Sequence, residues 1–136
     1  MAAWPRRKAR RTRLNVYIRT DGVKGFFARA HETARKLDKK EPIVAETVIT
    51  FEDASAMWRC LTPQRTRLLK CVKKEKGTPV AHLAVKLKRT RRAVDRDISL
   101  LESTGLVKTW FKTNPGHGRI KIVEPVAQKY HLITTL

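Results

Sequence analysis

The chain has 136 residues, and 31 Lys and Arg against 12 Asp and Glu give it a formal net charge of +19 at pH 7. Hydrophobic residues make up 41% of the sequence, which is enough for a folded core. No apolar run approaches the roughly 20 residues of a membrane-spanning helix, and no apolar segment follows the basic N-terminus as it would in a secretory signal. These properties predict a small cytoplasmic protein whose surface suits a polyanion.

The positive charge is divided between two blocks. Residues 1–41 carry a net charge of +9 and residues 59–105 carry another +9, whereas residues 42–58 carry −3. This asymmetry predicts two basic surfaces separated by a segment with another role.

The first part of the chain predicts a basic arm and then a strand, a helix and a strand. The arm, residues 1–13, carries like charges and has little to bury, so we expect it to be flexible on its own. Residues 14–18 alternate apolar and polar side chains as a half-buried strand does, and residues 23–37 show helical spacing. β-branched residues at 43–51 predict a second strand. Because the unit of residues 14–52 holds few apolar side chains, we expect dimerisation to complete its core.

Four helices and a hairpin are predicted next, over residues 53–124. The helices cover residues 53–60, 63–76 and 79–88, and a fourth starts near residue 90 and ends before Gly105. The hairpin has strands at 106–111 and 120–123, and the turn at 114–118 contains Pro and Gly. We expect residues 125–136 to form a C-terminal tail.

The same dipeptide starts two of these helices. In Thr62-Pro63 and again in Thr78-Pro79, the hydroxyl can cap free backbone N–H groups and Pro suits the first helical position. Gly77 is the predicted C-cap of the helix before it. Three helices and a two-stranded ribbon in this order predict an α+β fold, a winged helix-turn-helix with an N-terminal strand-helix-strand dimerisation unit.

The last helix has one buried stripe and one basic face. At about 100° per residue, Val94, Ile98 and Leu101 fall together, and Arg92, Arg96 and Ser99 lie opposite them. Arg suits both phosphate contact and bidentate recognition of guanine, although a solvated charged face has the same pattern. The predicted DNA-binding residues of this helix and its N-terminus are Lys88, Arg89, Thr90, Arg91, Arg92, Arg96 and Ser99.

Two further sets of basic residues are predicted to contact DNA. The wing set is Lys112, His117, Arg119 and Lys121, and its alternative is an ordinary glycine turn with solvated cations. The arm set is Arg6, Arg7, Lys8, Arg10 and Arg11, which suits a minor groove or gives only non-specific attraction.

Metal and catalytic chemistry are not indicated. Cys60 and Cys71 are too few for a disulfide framework, and we expect two buried free thiols. The sequence has no CxxC, HxxxH or phosphate-binding loop, so we expect no metal, no cofactor and no enzymatic activity. A structural RNA-binding or ribosome-associated protein is the alternative that fits the charge. We expect Trp58, Trp110 and Phe111 in the core or at the base of the wing, which does not favour a stacking platform for RNA.

Several motifs resemble the MarR-like winged-helix regulators of prokaryotes. They are the Leu-Thr-Pro helix start at residues 61–63, the segment 83–87, and the segment 94–107 with its Leu-Glu-x-x-Gly-Leu-Val ending. Phe-Glu-Asp at residues 51–53 is similar to a narrower, antitoxin-like subgroup of DNA-binding proteins. The resemblance covers roughly residues 51–123.

The resemblance implies a function and partners. It implies a dimeric repressor that binds double-stranded DNA, often regulates its own gene and is encoded beside a toxin. We therefore expect double-stranded DNA, a second copy of the chain and a cognate toxin as partners, in the nucleoid of a prokaryotic cytoplasm.

Overall fold

The computed structural model describes residues 13–43 and 46–135. The predicted basic arm lies outside the described residues except for Arg13. The elements in chain order are β1 (Arg13–Arg19), α1 (Gly22–Asp38), β2 (Thr47–Thr50), α2 (Ala54–Cys60), α3 (Pro63–Glu75), β3 (Thr78–Pro79), α4 (Val80–Leu87), α5 (Arg91–Ser103), β4 (Val107–Asn114), β5 (Gly118–Pro125) and β6 (Ala127–Ile133).

The described residues divide into two compact units. One is Cys60–Gln128, which contains α3 to β5, with Arg13 and Leu14; we call it the winged helix unit. The other comprises the described residues of Asn15–Arg59 and Lys129–Leu136, and we call it the α1 unit.

The α1 unit is built on a three-stranded sheet in the order β2-β1-β6. β1 and β2 run parallel, from the pair Val16↔Thr47 to the pair Arg19↔Thr50, with α1 as the connection between them. This confirms the predicted order of strand, helix and strand. At the start of α1, the Gly22 amide donates to the Phe51 carbonyl at 3.1 Å, which fixes the helix to the end of β2.

The C-terminal segment forms the third strand of this sheet. The Tyr17 ring stacks on His131 with 4.9 Å between centroids, and the His131 Nε2 lies 2.8 Å from the Asn15 Oδ1. The hydroxyls of Thr20 and Thr134 are 2.9 Å apart. The segment expected as a tail is therefore ordered as β6, next to the first strand of the chain.

The winged helix unit has the predicted three helices and hairpin. Its sheet has the order β3-β5-β4, and β5 pairs antiparallel with both neighbours. The fully buried side chains include the predicted apolar stripes of the helices. They are Leu68, Val72, Val80, Leu83, Val94, Ile98 and Leu101, all at 0% exposure.

The two Thr-Pro dipeptides differ in structure. Thr62 is the N-cap of α3, and its hydroxyl accepts a hydrogen bond from the Arg65 amide at 3.3 Å, as predicted. The same prediction for Thr78 is wrong, because Thr78 and Pro79 form β3 and α4 has no side-chain cap. Both residues are buried, and pairing with Val123 and Ile122 of β5 replaces the capping geometry.

Two other local predictions are corrected. The left-handed C-cap of α3 is Lys76, with φ of +56°, and not Gly77, which follows it at +115°. Cys60 is buried, and burial raises the pKa of its thiol, but Cys71 is only half-buried. The expectation of two buried thiols is therefore wrong for Cys71.

Candidate nucleic-acid interface

The candidate interface is centred on α5. Lys88 ends α4 in the left-handed region, with φ of +54°, and this sharp turn leads directly to the start of α5. Thr90 is the N-cap of α5, and its hydroxyl accepts a hydrogen bond from the Ala93 amide at 3.2 Å. The short turn and the cap together fix the direction in which α5 leaves α4.

The outer face of α5 carries the predicted recognition residues. Arg92, Arg96 and Ser99 are exposed, and they follow one another at i, i+4 and i+7. Within the part of the chain that the structure describes, neither Arg92 nor Arg96 has an ion-pair partner. Two guanidinium groups are therefore available to an external acceptor on one face of the helix.

The other basic residues of α5 and its preceding turn are arranged differently. Arg91 Nε lies 3.1 Å from Asp95 Oδ2, an exposed ion pair along the helix. Lys88 is exposed at the turn. Arg89 is mostly buried, and its Nη1 lies 2.6 Å from Asp97 Oδ2. Of the predicted arginines, two are thus available to DNA, Arg91 is in an exposed ion pair, and Arg89 is in a buried ion pair.

Asp97 is the centre of a network that the sequence did not predict. Its side chain is 8% exposed, and Arg65 Nε from α3 lies 3.1 Å from its Oδ1. Arg65 Nη1 also donates to the Cys60 carbonyl at 3.1 Å. One carboxylate therefore ties α3, the turn before α5 and α5 itself. In the sequence, the one indication that Asp97 is buried was its position beside the apolar stripe, about 40° from Leu101 on the helical wheel.

The wing is a regular hairpin with a glycine turn. Asn114 pairs with Gly118, and the His117 amide donates to the Asn114 carbonyl at 2.9 Å. Gly116 and Gly118 both have positive φ, at +80° and +78°, and a Cβ on either would have no neighbour within 4 Å. The positive φ, not crowding, favours glycine here, and the open tip leaves room for a surface to approach.

The predicted wing cations lie on both faces of the hairpin. Phe111 pairs with Lys121, and the Arg119 guanidinium lies 4.5 Å from the centroid of the Phe111 ring. Since side chains alternate along a strand, Arg119 and Lys121 share one face with Phe111, and Lys112 points to the other. The His117 side chain is exposed at the turn. The structure thus brings Arg119 and Lys121 together on a half-exposed aromatic ring.

Two of the three aromatic residues expected in the core or at the base of the wing are exposed. Trp58 is 52% exposed and Phe111 is 51% exposed, so neither is a core residue. Trp110 is half-buried, and its Nε1 donates to the Glu124 carboxylate. The Arg119 guanidinium lies over the exposed Phe111 ring and forms a cation–π contact with it on the surface of the wing.

Neither metal-binding clusters nor membrane-spanning helices are found in residues 13–43 and 46–135. No group of three or more His, Cys, Asp or Glu side chains there could hold a metal ion. No helix in the same residues has the length and apolar character needed to cross a membrane.

Thr90 has a structural role that can be tested separately from DNA contact. We expect Thr90→Ala to lower the free energy of unfolding by about 1 kcal/mol, because the Ala93 amide loses its acceptor. Thr90→Ser should retain most of that stability, since Ser caps equally well. Urea unfolding at 25 °C measures both variants. Equal stabilities for Thr90→Ala and wild type would show that the cap contributes nothing.

The comparisons with known proteins cover part of the chain. Residues 60–123 match the protein family HVO_A0114, just under half of the sequence. A possible transcriptional regulator from Methanosarcina mazei Go1 is 18% identical with a TM-score of 0.46, over 51% of this chain and 61% of that one. A transcriptional regulator homologue from Pyrococcus horikoshii OT3 is 25% identical with a TM-score of 0.42, over 47% and 62%.

A third solved structure is ZitR from Lactococcus lactis in complex with DNA. It is 18% identical with a TM-score of 0.42, over 77% of this chain and 66% of that one. The present chain thus spans less than two thirds of each of these three proteins. No curated protein matches the sequence. The family match falls on the winged helix unit of this chain.

Proposed function

We propose that this protein is a sequence-specific, double-stranded DNA-binding transcriptional repressor that acts as a homodimer. The observation that carries the proposal is the outer face of α5, where Arg92 and Arg96 are exposed and have no ion-pair partner among the described residues. An α-helix fits the major groove, and a guanidinium can donate two hydrogen bonds to guanine O6 and N7.

The remaining predicted contacts follow from that placement of α5. The turn with Lys88 meets the phosphate backbone, because the N-terminus of a groove-bound recognition helix lies beside it. The wing, with Arg119 and Lys121 on one face and Lys112 on the other, contacts the flanking backbone or minor groove. The arm residues predicted from the sequence add a further contact. Arg89 acts indirectly, by holding the turn before α5 through Asp97.

Dimerisation explains how a short helix gains specificity. A two-fold symmetric dimer presents two α5 helices, so it selects two half-sites related by a palindrome. We propose the unit predicted at residues 14–52 as the dimerisation unit. Bound near a promoter, the dimer excludes RNA polymerase.

The finer proposals rest on the sequence resemblance. The similarity of residues 51–53 and 61–107 to antitoxin-like DNA-binding proteins supports autoregulation and a cognate toxin as partner. In that case the protein acts at the nucleoid of a prokaryotic cytoplasm. A toxin would be an additional partner and would not replace DNA.

The proposal is tested by fluorescence anisotropy with three nucleic acids over a salt series. The three are the DNA upstream of the protein's own gene, a shuffled duplex of the same composition, and a structured RNA. We expect a preference of about 10³ for the upstream duplex that persists near physiological salt. Equal affinity for all three, lost as salt rises, would contradict specific DNA binding and favour the RNA-binding alternative.

A further inference from the structure

The outward face of α1 is an apolar stripe that no other described residue of the chain covers. Val23, Phe26, Phe27 and Leu37 are each 58–63% exposed, and Ala30 and Ala34 between them are exposed as well. A helix in a soluble protein normally turns such a stripe toward a core. Here the half-buried residues of α1 are on its other side and include Gly25, Arg29 and Lys36.

The spacing of the stripe is that of a helix-pairing seam. Val23, Phe27, Ala30, Ala34 and Leu37 are separated by four, three, four and three residues, as at the a and d positions of a heptad. The helix has 17 residues and is thus about 25 Å long, and the stripe follows most of that length. The two alanines at its middle allow another helix to approach closely.

The side chains of the stripe are complementary to the same stripe reversed. In an antiparallel pair with the two-fold axis near Ala30 and Ala34, the Phe26 and Phe27 end of one helix lies on the Leu37 end of the other. The phenyl rings of one copy then pack against the alanines and Leu37 of the other, and the layers interdigitate. A parallel pair would place Phe27 on Phe27 and alanine on alanine, which leaves crowded and empty layers.

The charges beside the stripe favour the same arrangement. Lys24 and Asp38 lie on one flank of it, at opposite ends of the helix, and both are exposed. In an antiparallel two-fold pair, this flank of one helix lies beside the same flank of the other, and the helices run in opposite directions. Lys24 of each copy therefore faces Asp38 of the other, which gives two such pairs. We infer that the apolar face of α1 binds the same face of a second copy of this chain, antiparallel, with Lys24 opposite Asp38.

A matched pair of alanine substitutions tests the interface. The inference rests on the proposed homodimer, and sedimentation equilibrium of the full chain without DNA measures it separately from DNA binding. We expect Ala34→Glu to raise the dimer dissociation constant at least about 100-fold, since a carboxylate would be buried in the seam. Ala28→Glu, also exposed but on the side of α1 away from the stripe, should leave the dimer intact. Helix content by circular dichroism checks that both variants fold.

A charge exchange tests whether the stripe binds a second copy of the chain and whether the two helices are antiparallel. Exposed pairs are weak and screened by salt, so the measurement is made at low ionic strength. We expect Lys24→Glu to raise the dissociation constant about tenfold and the double variant Lys24→Glu with Asp38→Lys to return it to within about threefold of wild type. Restoration supports the antiparallel copy.

Three results would overturn the inference. They are a monomeric wild type at 100-fold the concentration at which it binds DNA, an unchanged dimer in Ala34→Glu, and a double variant no better than the single one. A different occupant of the stripe, such as a toxin, would give the first of these. A dimer that fails to bind any DNA would contradict the proposed function and leave this interface supported.

Discussion

Replacing Asp97 with Ala should lower the free energy of unfolding of the winged helix unit by about 3–5 kcal/mol. Asp97 is buried, and its two carboxylate oxygens hold Arg65 at 3.1 Å and Arg89 at 2.6 Å. Both guanidinium groups are about 20% exposed, so the substitution leaves two positive charges in a poorly solvated site without their counter-ion. Asp97→Asn should fall between Ala and wild type, because it keeps the shape and one acceptor but loses the charge.

Asp95 provides the matched control for this prediction. It lies two residues away on the same helix, and it pairs with Arg91 at 3.1 Å on the exposed side. Exposed i,i+4 pairs contribute only about 0.3–0.5 kcal/mol, so Asp95→Ala should change stability by no more than that. Urea unfolding followed by circular dichroism compares the variants. A loss in Asp97→Ala as small as that in Asp95→Ala would show that the network is not structural.

The second large effect is expected from Arg92. Arg92→Ala should cost about 1–3 kcal/mol of binding free energy on a cognate duplex, or about 5- to 150-fold in affinity, if its guanidinium contacts a guanine. Its affinity for random DNA should change much less, because that binding depends on phosphate contacts spread over the surface. The ratio of the two affinities, measured by anisotropy, should therefore fall.

Lys121 on the wing is the contrasting variant. Lys121→Ala should weaken cognate and random duplexes by the same factor and reduce the salt dependence by about one charge. The contrast separates a base contact from a phosphate contact on the same protein. Equal losses from both variants on both duplexes would mean that α5 does not read the sequence.

The parts of the fold that could be predicted depend on local periodicity. The stripe of Val94, Ile98 and Leu101 has the period of a helix, and it identified both the core side of α5 and the exposed arginines opposite. The Thr62 cap was predictable for the same reason, since the hydroxyl and the amide it binds are only three residues apart.

The parts that could not be predicted depend on residues far apart in the sequence. Thr78 has the same local signal as Thr62, but its pairing with Val123 in β5 decides its conformation. Arg65 is 32 residues from Asp97, and the sequence around neither residue indicates that the two form an ion pair. The helical spacing of α1 predicted the helix, but only the structure shows that its whole apolar stripe is exposed.

Selection of bound duplexes from a random pool tests whether the outer face of α5 recognises a sequence in double-stranded DNA. The pool makes no assumption about which gene is regulated. We expect enrichment of one palindromic sequence whose half-sites are about 10 bp apart, or a multiple of one helical turn, and loss of that enrichment in Arg92→Ala. A pool that stays random after repeated rounds, although the protein binds it, would show that α5 does not recognise a sequence and that the protein binds DNA only through its positive charge.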